Sequence, residues 1–475
     1  MLDFMENLHR LSLLEQSELI TQQEIRSTEL VSHYLKRIEE FNPQLGAFTT
    51  VTADSAREQS ATFDASASDS PLHLRLLAGV PSADKDLDNR IGVPTSYGSL
   101  TAKREPATKN DGITEAANAA GLISLGKTHA PEFGLSGHAL TRLNYICRNP
   151  WDLGTDPGGS SSGAAVAVSA GLVPAALASD AGGSIRIPAS TTGVVGIKPS
   201  RQFFDFDGRR EMNRNSVHGT IARSLGDAAL LLDALKHPNV PKTQAVFLNA
   251  INRPKAVSAQ PRRIAIADYT PWRETFRIEL PTELQADFER STKALKATGH
   301  EVIPIEIPEF EGFGKAFTML WQKSAANISV SLADEPLLTD FTRWLRSEGN
   351  SYSAEEVAKS IRLMEEFECF FQDALDGYDA LMTPALGLLP QKISWHDDTD
   401  HYNNFVKQCE YSPYTSFVNM AGLPAIVLPT ALNISGLPMS IQLIGKLNQE
   451  EPLIELGGQF ERELGWGPRF PKNFA

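Results

Sequence analysis

At 475 residues, with 44 lysines and arginines against 58 aspartates and glutamates, the chain carries a formal charge of −14 and is long enough to bury a sizeable core. Basic residues are nowhere clustered, so nucleic acid is excluded as an expected partner. The start, Met1-Leu2-Asp3-Phe4-Met5-Glu6-Asn7, is acidic where a secretory signal is basic and then apolar, and no apolar run is long enough to span a bilayer; the expectation is a cytoplasmic protein with no membrane partner.

Between Thr21 and Phe41, the residues Ile25, Leu30, Val31, Tyr34, Leu35 and Ile38 recur at helical spacing among charges. They predict an amphipathic helix, with Ser27-Thr28-Glu29-Leu30 capping its longer half. Ser66 to Ser70 reads as a small polar loop. From about residue 76 to 235, short apolar runs alternate with Gly- and Ala-rich helix-like segments, the pattern of an α/β core with buried strands. Pro238 to Arg263, with further prolines at Pro241, Pro254 and Pro261, reads as a linker or an excursion from the core. Arg263 to Ala267 and His300 to Pro304 then read as strands flanking a helix from Glu283 to Ala297, a βαβ-like unit. Beyond it Phe313, Phe317, Leu320, Trp321, Trp344, Phe367 and Phe370 mark a helical region whose aromatic stripes belong in a core or on a pocket wall. Trp395 to Tyr402 holds His396, Asp397, Asp398, Asp400 and His401 at no standard metal-ligand spacing and reads as a solvated loop. Strands return at Ala425 to Pro429 and Ser440 to Ile444. Cys147, Cys369 and Cys409 are odd in number and far apart, which suits reduced thiols better than a disulfide framework or a zinc site.

The residues that carry chemistry concentrate in Gly158-Gly159-Ser160-Ser161-Ser162-Gly163 and in Ser179-Asp180-Ala181-Gly182-Gly183-Ser184-Ile185-Arg186-Ile187-Pro188. Ser160 and Ser184 are 24 residues apart, joined by an Ala-rich apolar segment suited to a buried helix. Glycine ahead of serine uncovers backbone N–H groups and lets the chain turn tightly, as an exposed nucleophile beside an oxyanion hole requires. This points to a hydrolase. Gly159-Ser160-Ser161-Ser162-Gly163 also satisfies G-x-S-x-G, which would make Ser161 a nucleophile, but the elbow needs a strand before it and Asn149 to Pro157 is loop-like. Ser82-Ala83-Asp84-Lys85 fits S-x-x-K, yet the companion elements of that motif are missing downstream. The remaining constellation joins Lys85 to the two separated serines: a lysine serves as base only when neutral, and the apolar approach Leu76 to Pro81 could deliver Lys85 into a dry centre.

With Gly79-Val80-Pro81 and Lys85-Asp86, Gly126-Lys127-Thr128, Pro131-Glu132-Phe133-Gly134, Arg148-Asn149-Pro150-Trp151-Asp152, both serine motifs and Gly193-Val194-Val195-Gly196-Ile197-Lys198-Pro199, the chain resembles the amidase signature family of serine hydrolases. Weaker similarity continues to Gly422-Leu423-Pro424-Ala425 and Gly436-Leu437-Pro438. The resemblance implies a single α/β/α domain with a large mixed, mostly parallel central sheet covered by helices on both faces. Within it, residues 1–65 would form an N-terminal helical region, 76–235 the catalytic core, and 310–410 a variable helical region lining the substrate pocket together with the loop from Leu135 to Tyr145. It further implies Ser184 as nucleophile, Ser160 as bridging serine after a cis peptide bond, Lys85 as base, and the N–H groups of Ala181, Gly182, Gly183 and Ser184 as oxyanion hole. Ser161, Ser179, Asp180 and Arg186 would support these groups. The implied reaction hydrolyses a small-molecule amide to acid plus ammonia or amine through an acyl-enzyme, without metal or organic cofactor; a homodimer would suit the family.

Two alternatives accompany this reading: a glutaminase-type subunit of a tRNA-dependent amidotransferase, whose members commonly carry Gln where this chain has Ile187, and a non-catalytic binding protein on the same fold. The chain also departs from the pattern at Asp84, where an apolar residue is usual, and at Ser162, where glycine is common. If Lys85 lies on a strand, Asp84 points to the opposite face and can pair with an arginine; if Asp84 points inward, it raises the lysine pKa.

Overall fold

The computed structural model describes residues 5–66, 75–143, 145–207, 215–238, 244–253, 261–396 and 399–475. A small sheet contains β1 (Phe48–Val51), β2 (Pro81–Lys85) and β3 (Ile123–Thr128), in the order β1-β3-β2. The large sheet contains β4 (Ala175–Asp180), β5 (Val195–Lys198), β6 (Val217–Ala222), β7 (Arg263–Ile266), β8 (Glu301–Pro304), β9 (Ala380–Pro384), β10 (Ala425–Leu432) and β11 (Pro438–Gly445). Its spatial order is β4-β6-β5-β10-β11-β9-β7-β8. The two sheets meet where Ser82 Oγ on β2 donates to Ala175 O on β4 at 3.2 Å.

Successive strand residues point to opposite faces, so one sheet serves two cores. Ile264, Met382 and Leu443 enter one apolar cluster, with the helices Ser162–Ser169, Leu225–Lys236 and Glu450–Leu464. Ala265, Leu381 and Ile444 enter the other, with Phe313, Phe317, Phe367 and Phe371 from the helices Phe313–Ala326 and Ala354–Ala374. This is a mixed α/β domain with helices on both faces. The expected predominance of parallel strands does not hold: β4-β6, β6-β5, β5-β10, β10-β11 and β11-β9 are antiparallel, and only β9-β7 and β7-β8 are parallel. Parallel neighbours need a long crossover, which the helix Thr282–Ala297 supplies between β7 and β8, whereas the turn closed by Asn433 N–H to Leu437 O at 2.8 Å makes β10-β11 a hairpin.

Three local readings are revised. The helix expected from Thr21 to Phe41 runs from Ser27 to Leu45, after a separate helix Leu13–Thr21, and is capped through Glu29, which accepts from Arg26 N at 2.8 Å; the Ser27 hydroxyl instead donates to Gly79 O. The expected linker contains a helix, Val246–Ile251, docked by Phe247 and Leu248 N–H bonds to the Asp233 carboxylate. His396 is not solvated but buried against His138, with ring centroids 4.9 Å apart, and Asp400 caps the helix His401–Tyr411. Asp397 and Asp398, like residues 67–70 of the first polar loop, lie outside the described residues. All three cysteines are free, and among the described residues no helix is long and apolar enough to cross a membrane.

The small sheet depends on close backbone approach. Gly126 in β3 has φ +145°, and a Cβ there would lie 2.0 Å from Thr50 O on β1. Gly126→Ala is expected to cost more than about 1 kcal/mol, seen as a lower urea midpoint with an unchanged m-value.

Candidate active site

Every residue of β2 is buried, and the strand ends on Lys85, which is fully excluded from solvent. Strand alternation sends Asp84 to the opposite face. There Arg90 meets it through Nε at 2.5 Å and Nη2 at 2.9 Å, and Ser124 Oγ donates at 2.8 Å. Burial alone would raise the Asp84 pKa, but the Arg90 charge and these bonds outweigh it and hold the carboxyl below its usual range. Asp84 is therefore a paired anion facing away from the lysine.

Lys85 Nζ lies 2.8 Å from Ser160 Oγ, 3.1 Å from Ser179 O and 3.1 Å from Ser179 Oγ. Burial pushes its pKa down to about 8, against the upward pull of Asp88 and Asp180. A carbonyl can only accept, so the amine donates to Ser179 O in either protonation state. When the amine is neutral, its lone pair can accept from the Ser160 hydroxyl.

Ser160 is delivered by a loop with Gly158 at φ +78° and a cis Gly159-Ser160 peptide bond. The loop is pressed closely against its neighbour, since a Cβ on Gly159 would lie 2.8 Å from the carbonyl oxygens of Ser136 and His138. Ser161 ends the loop and precedes the wholly buried helix Ser162–Ser169. Its N–H donates to Ser184 O at 3.1 Å, clamping the two serine loops side by side, and its hydroxyl donates to Ser179 O at 3.3 Å. Ser161 thus shares an acceptor with Lys85 and does not bond the amine itself.

The Ser184 loop is wrapped around Asp180. Gly183 N–H donates to Asp180 Oδ1 at 2.7 Å, and Ile185 N–H to Oδ2 at 3.1 Å. Arg186, fully buried, binds the same carboxylate with Nε and Nη2, both at 3.0 Å. Burial opposes this anion, yet the Arg186 charge and hydrogen bonds depress its pKa far below the ordinary value. Of the four amides expected to form an oxyanion hole, the Gly183 N–H is thereby turned to the carboxylate. Gly183 has φ +132°, and a Cβ there would meet Thr415 Oγ1 at 2.3 Å, so this turn requires glycine.

Ser184 is 8% exposed, and among the described residues its hydroxyl has no hydrogen-bond partner. It borders a cavity of about 60 Å³ together with Gly182, Ile187, Trp272, Phe317 and Trp321. An adjoining cavity of about 230 Å³ shares Phe317 and Trp321 and adds Ala181, Arg201, Glu365 and Glu368. Of the aromatics expected in a core or on a pocket wall, Phe317 is both and Trp321 stacks on it at the wall with centroids 5.7 Å apart, whereas Phe313 and Phe367 line neither cavity and are core. Sequence reasoning missed Asn419, Thr415 and Gln442, which receive or make the remaining bonds around Arg186: Nη1 donates to Thr415 O at 3.0 Å and Gln442 Oε1 at 2.7 Å, and Nη2 to Asn419 Oδ1 at 2.5 Å. Gln442 carried a signal, as a polar residue inside an apolar strand; Asn419 carried none.

A family model, Amidase, matches residues 29–454. AmiB2 of Mycobacterium tuberculosis, an amidase by name, is 32% identical over 445 residues, covering 93% of this chain and 94% of that protein. A glutamyl-tRNA(Gln) amidotransferase subunit from Acinetobacter baumannii is 29% identical over 497 residues, covering 97% and 98%. Among solved structures, a 6-aminohexanoate cyclic dimer hydrolase complexed with substrate superposes with a TM-score of 0.85 at 24% identity, over 98% of this chain and 100% of that one, which shows a common fold. The two serine loops, the buried lysine and the extent of these matches agree: the chain belongs to the amidase signature family.

Proposed function

We propose that the protein hydrolyses a carboxamide C–N bond of a small molecule through an acyl-enzyme on Ser184, with Ser160 as proton bridge and Lys85 as base. The observation that carries this reading is the 2.8 Å contact between a fully buried lysine and Ser160. Neutral Lys85 takes the Ser160 proton as Ser160 takes that of Ser184, and Ser184 Oγ attacks the substrate carbonyl. The amides of Ala181, Gly182 and Ser184 receive the developing oxyanion, while that of Gly183 keeps Asp180 in place. The relay then reverses, protonating the leaving nitrogen, and water activated by the same path releases the acid. Phe317 and Trp321 give the acyl or amine portion of the substrate an apolar bed.

Because only neutral Lys85 is a base and its pKa is about 8, kcat/KM should rise with pH through that value. At pH 7 about a tenth of the enzyme holds the amine neutral. The wild-type profile measured from pH 6 to 10 checks this, and a rate falling over that range contradicts it.

The match to an amidotransferase component favours one alternative, a glutaminase that works only within a larger assembly. Against it stands Ile187, buried on the Ser184 cavity where a glutamine is common in that branch. The deciding experiment incubates the purified protein alone with aryl, aliphatic and peptide amides and follows ammonia or amine release. Turnover without a partner supports the amidase; turnover of glutamine only in a partner's presence supports the amidotransferase reading.

A further inference from the structure

Beside the proposed relay lies a buried charge cluster that the mechanism does not use. Asp88 follows Lys85 in a turn, its N–H donating to Lys85 O at 3.1 Å. The Asp88 carboxylate is buried, and its Oδ2 has no hydrogen-bond partner among the described residues. Its Oδ1 lies 3.1 Å from His218 Nε2, and its backbone carbonyl accepts from Lys127 Nζ. His218, on β6, has Nδ1 2.6 Å from Asp207 Oδ1, and Asp207 is also buried. With a carboxylate at each ring nitrogen, both nitrogens must donate, so His218 is an imidazolium. Burial alone would lower its pKa, but Asp88 and Asp207 raise it to about 10.

The charges of Asp88, one turn from Lys85, and of Asp180, next to its acceptor Ser179, pull the lysine pKa upward, and each carboxylate is held by its own cation. Asp180 is bound by Arg186 through two hydrogen bonds, and Asp88 by His218 through one. Asp84 points to the other face of β2, where Arg90 binds it, and Asp86, just past the end of the strand, is bound by Ser96 and Thr49. The Phe206 ring lies 5.7 Å from that of His218, and Ser179 on β4 is opposite His218 in the sheet. His218 is thus the one cationic side chain bonded to the Asp88 carboxylate among the described residues.

We propose that His218 is a positioning residue for the base: bonded to Asp88 as an imidazolium, it neutralises that carboxylate and so keeps the Lys85 amine free to lose its proton near neutral pH. The inference rests on Lys85 being the base. Without His218, the Asp88 anion would favour the lysine ammonium, and the acidic limb of turnover would move to higher pH. Without the Asp88 anion, the limb would move the other way.

The test compares wild type, His218→Gln, Asp88→Asn and the double variant, measuring kcat/KM against pH and, independently of substrate, the rate of inactivation by a fluorophosphonate. His218→Gln is expected to shift the acidic limb upward by about one pH unit, a roughly tenfold loss at pH 7 that vanishes on the alkaline plateau. Asp88→Asn is expected to shift it downward, and the double variant to follow Asp88→Asn. A purely structural role for His218 would lower the rate equally at every pH, and that result overturns the proposal. If His218→Gln does not fold, Asp88→Asn decides: a downward shift supports the proposal and an unmoved or raised limb overturns it. Lys85→Ala separates the layers, since wild-type turnover in that variant removes the base assignment and this inference with it, whereas an inactive Lys85→Ala beside an unmoved limb in Asp88→Asn overturns this inference alone.

Discussion

Replacing Ser184 with alanine is expected to lower kcat/KM for any amide substrate by about four to six orders of magnitude, the loss seen when a unit of nucleophile and base is deprived of its nucleophile. The fold should not notice. Ser184 lies at a cavity edge, and its hydroxyl supports no other described residue, so the melting temperature should stay within about 2 °C of wild type. Substrate binding by calorimetry should survive the substitution. Residual turnover near the wild-type rate would remove Ser184 from the reaction.

The second large effect is on stability. Arg186 is fully buried and spends its guanidinium on Asp180, Thr415, Asn419 and Gln442, which come from three separate segments of the chain. Arg186→Met leaves the Asp180 anion in the interior with only amide partners, and breaking such a pair costs about 3–5 kcal/mol. The pH dependence follows from Asp180, whose folded-state pKa is depressed. Its contribution to stability is present above the unfolded-state value and is lost as pH falls toward the folded one. In Arg186→Met that acid-side loss should shrink, because the carboxyl no longer has its cation. Urea unfolding at pH 7 and at about pH 3, below the unfolded-state carboxyl pKa of about 3.9, reads both effects. An unchanged midpoint at pH 7 would contradict this role, and Arg186→Lys should fall between the two because an ammonium cannot bind both carboxylate oxygens in the same geometry.

Both predictions concern residues visible in the sequence, and the reason is local. Glycine before serine and the apolar approach from Leu76 to Pro81 toward Lys85 are short-range signals, and the roles of Ser184, Asp180 and Arg186 are those the family resemblance implies for one short stretch of chain. The unit of β7, the helix Thr282–Ala297 and β8 was legible for the same reason: its alternating and helical periods lie within one stretch of chain. What was not legible depends on contacts across the chain. The sense of the large sheet is set by which strands become neighbours, and β5 finds β10 more than two hundred residues away. The polar cage around Arg186 draws Asn419 and Gln442 from equally distant positions, and His396 in an acidic stretch looks solvated until His138 covers it. Asp84 is the intermediate case: alternation predicts its direction, but only the fold supplies Arg90 as its partner.

The central claim, that Ser184 attacks with Lys85 behind it, is tested most directly by trapping the nucleophile. The protein is treated with a fluorophosphonate, digested with trypsin and analysed by mass spectrometry; Ser160, Ser161 and Ser184 share the peptide Asn149 to Arg186, so fragmentation must assign the adduct. A single adduct on Ser184 is expected, forming faster as pH rises through about 8 and lost in Lys85→Ala. An adduct on Ser161, or one on Ser184 that forms equally fast without Lys85, would contradict it.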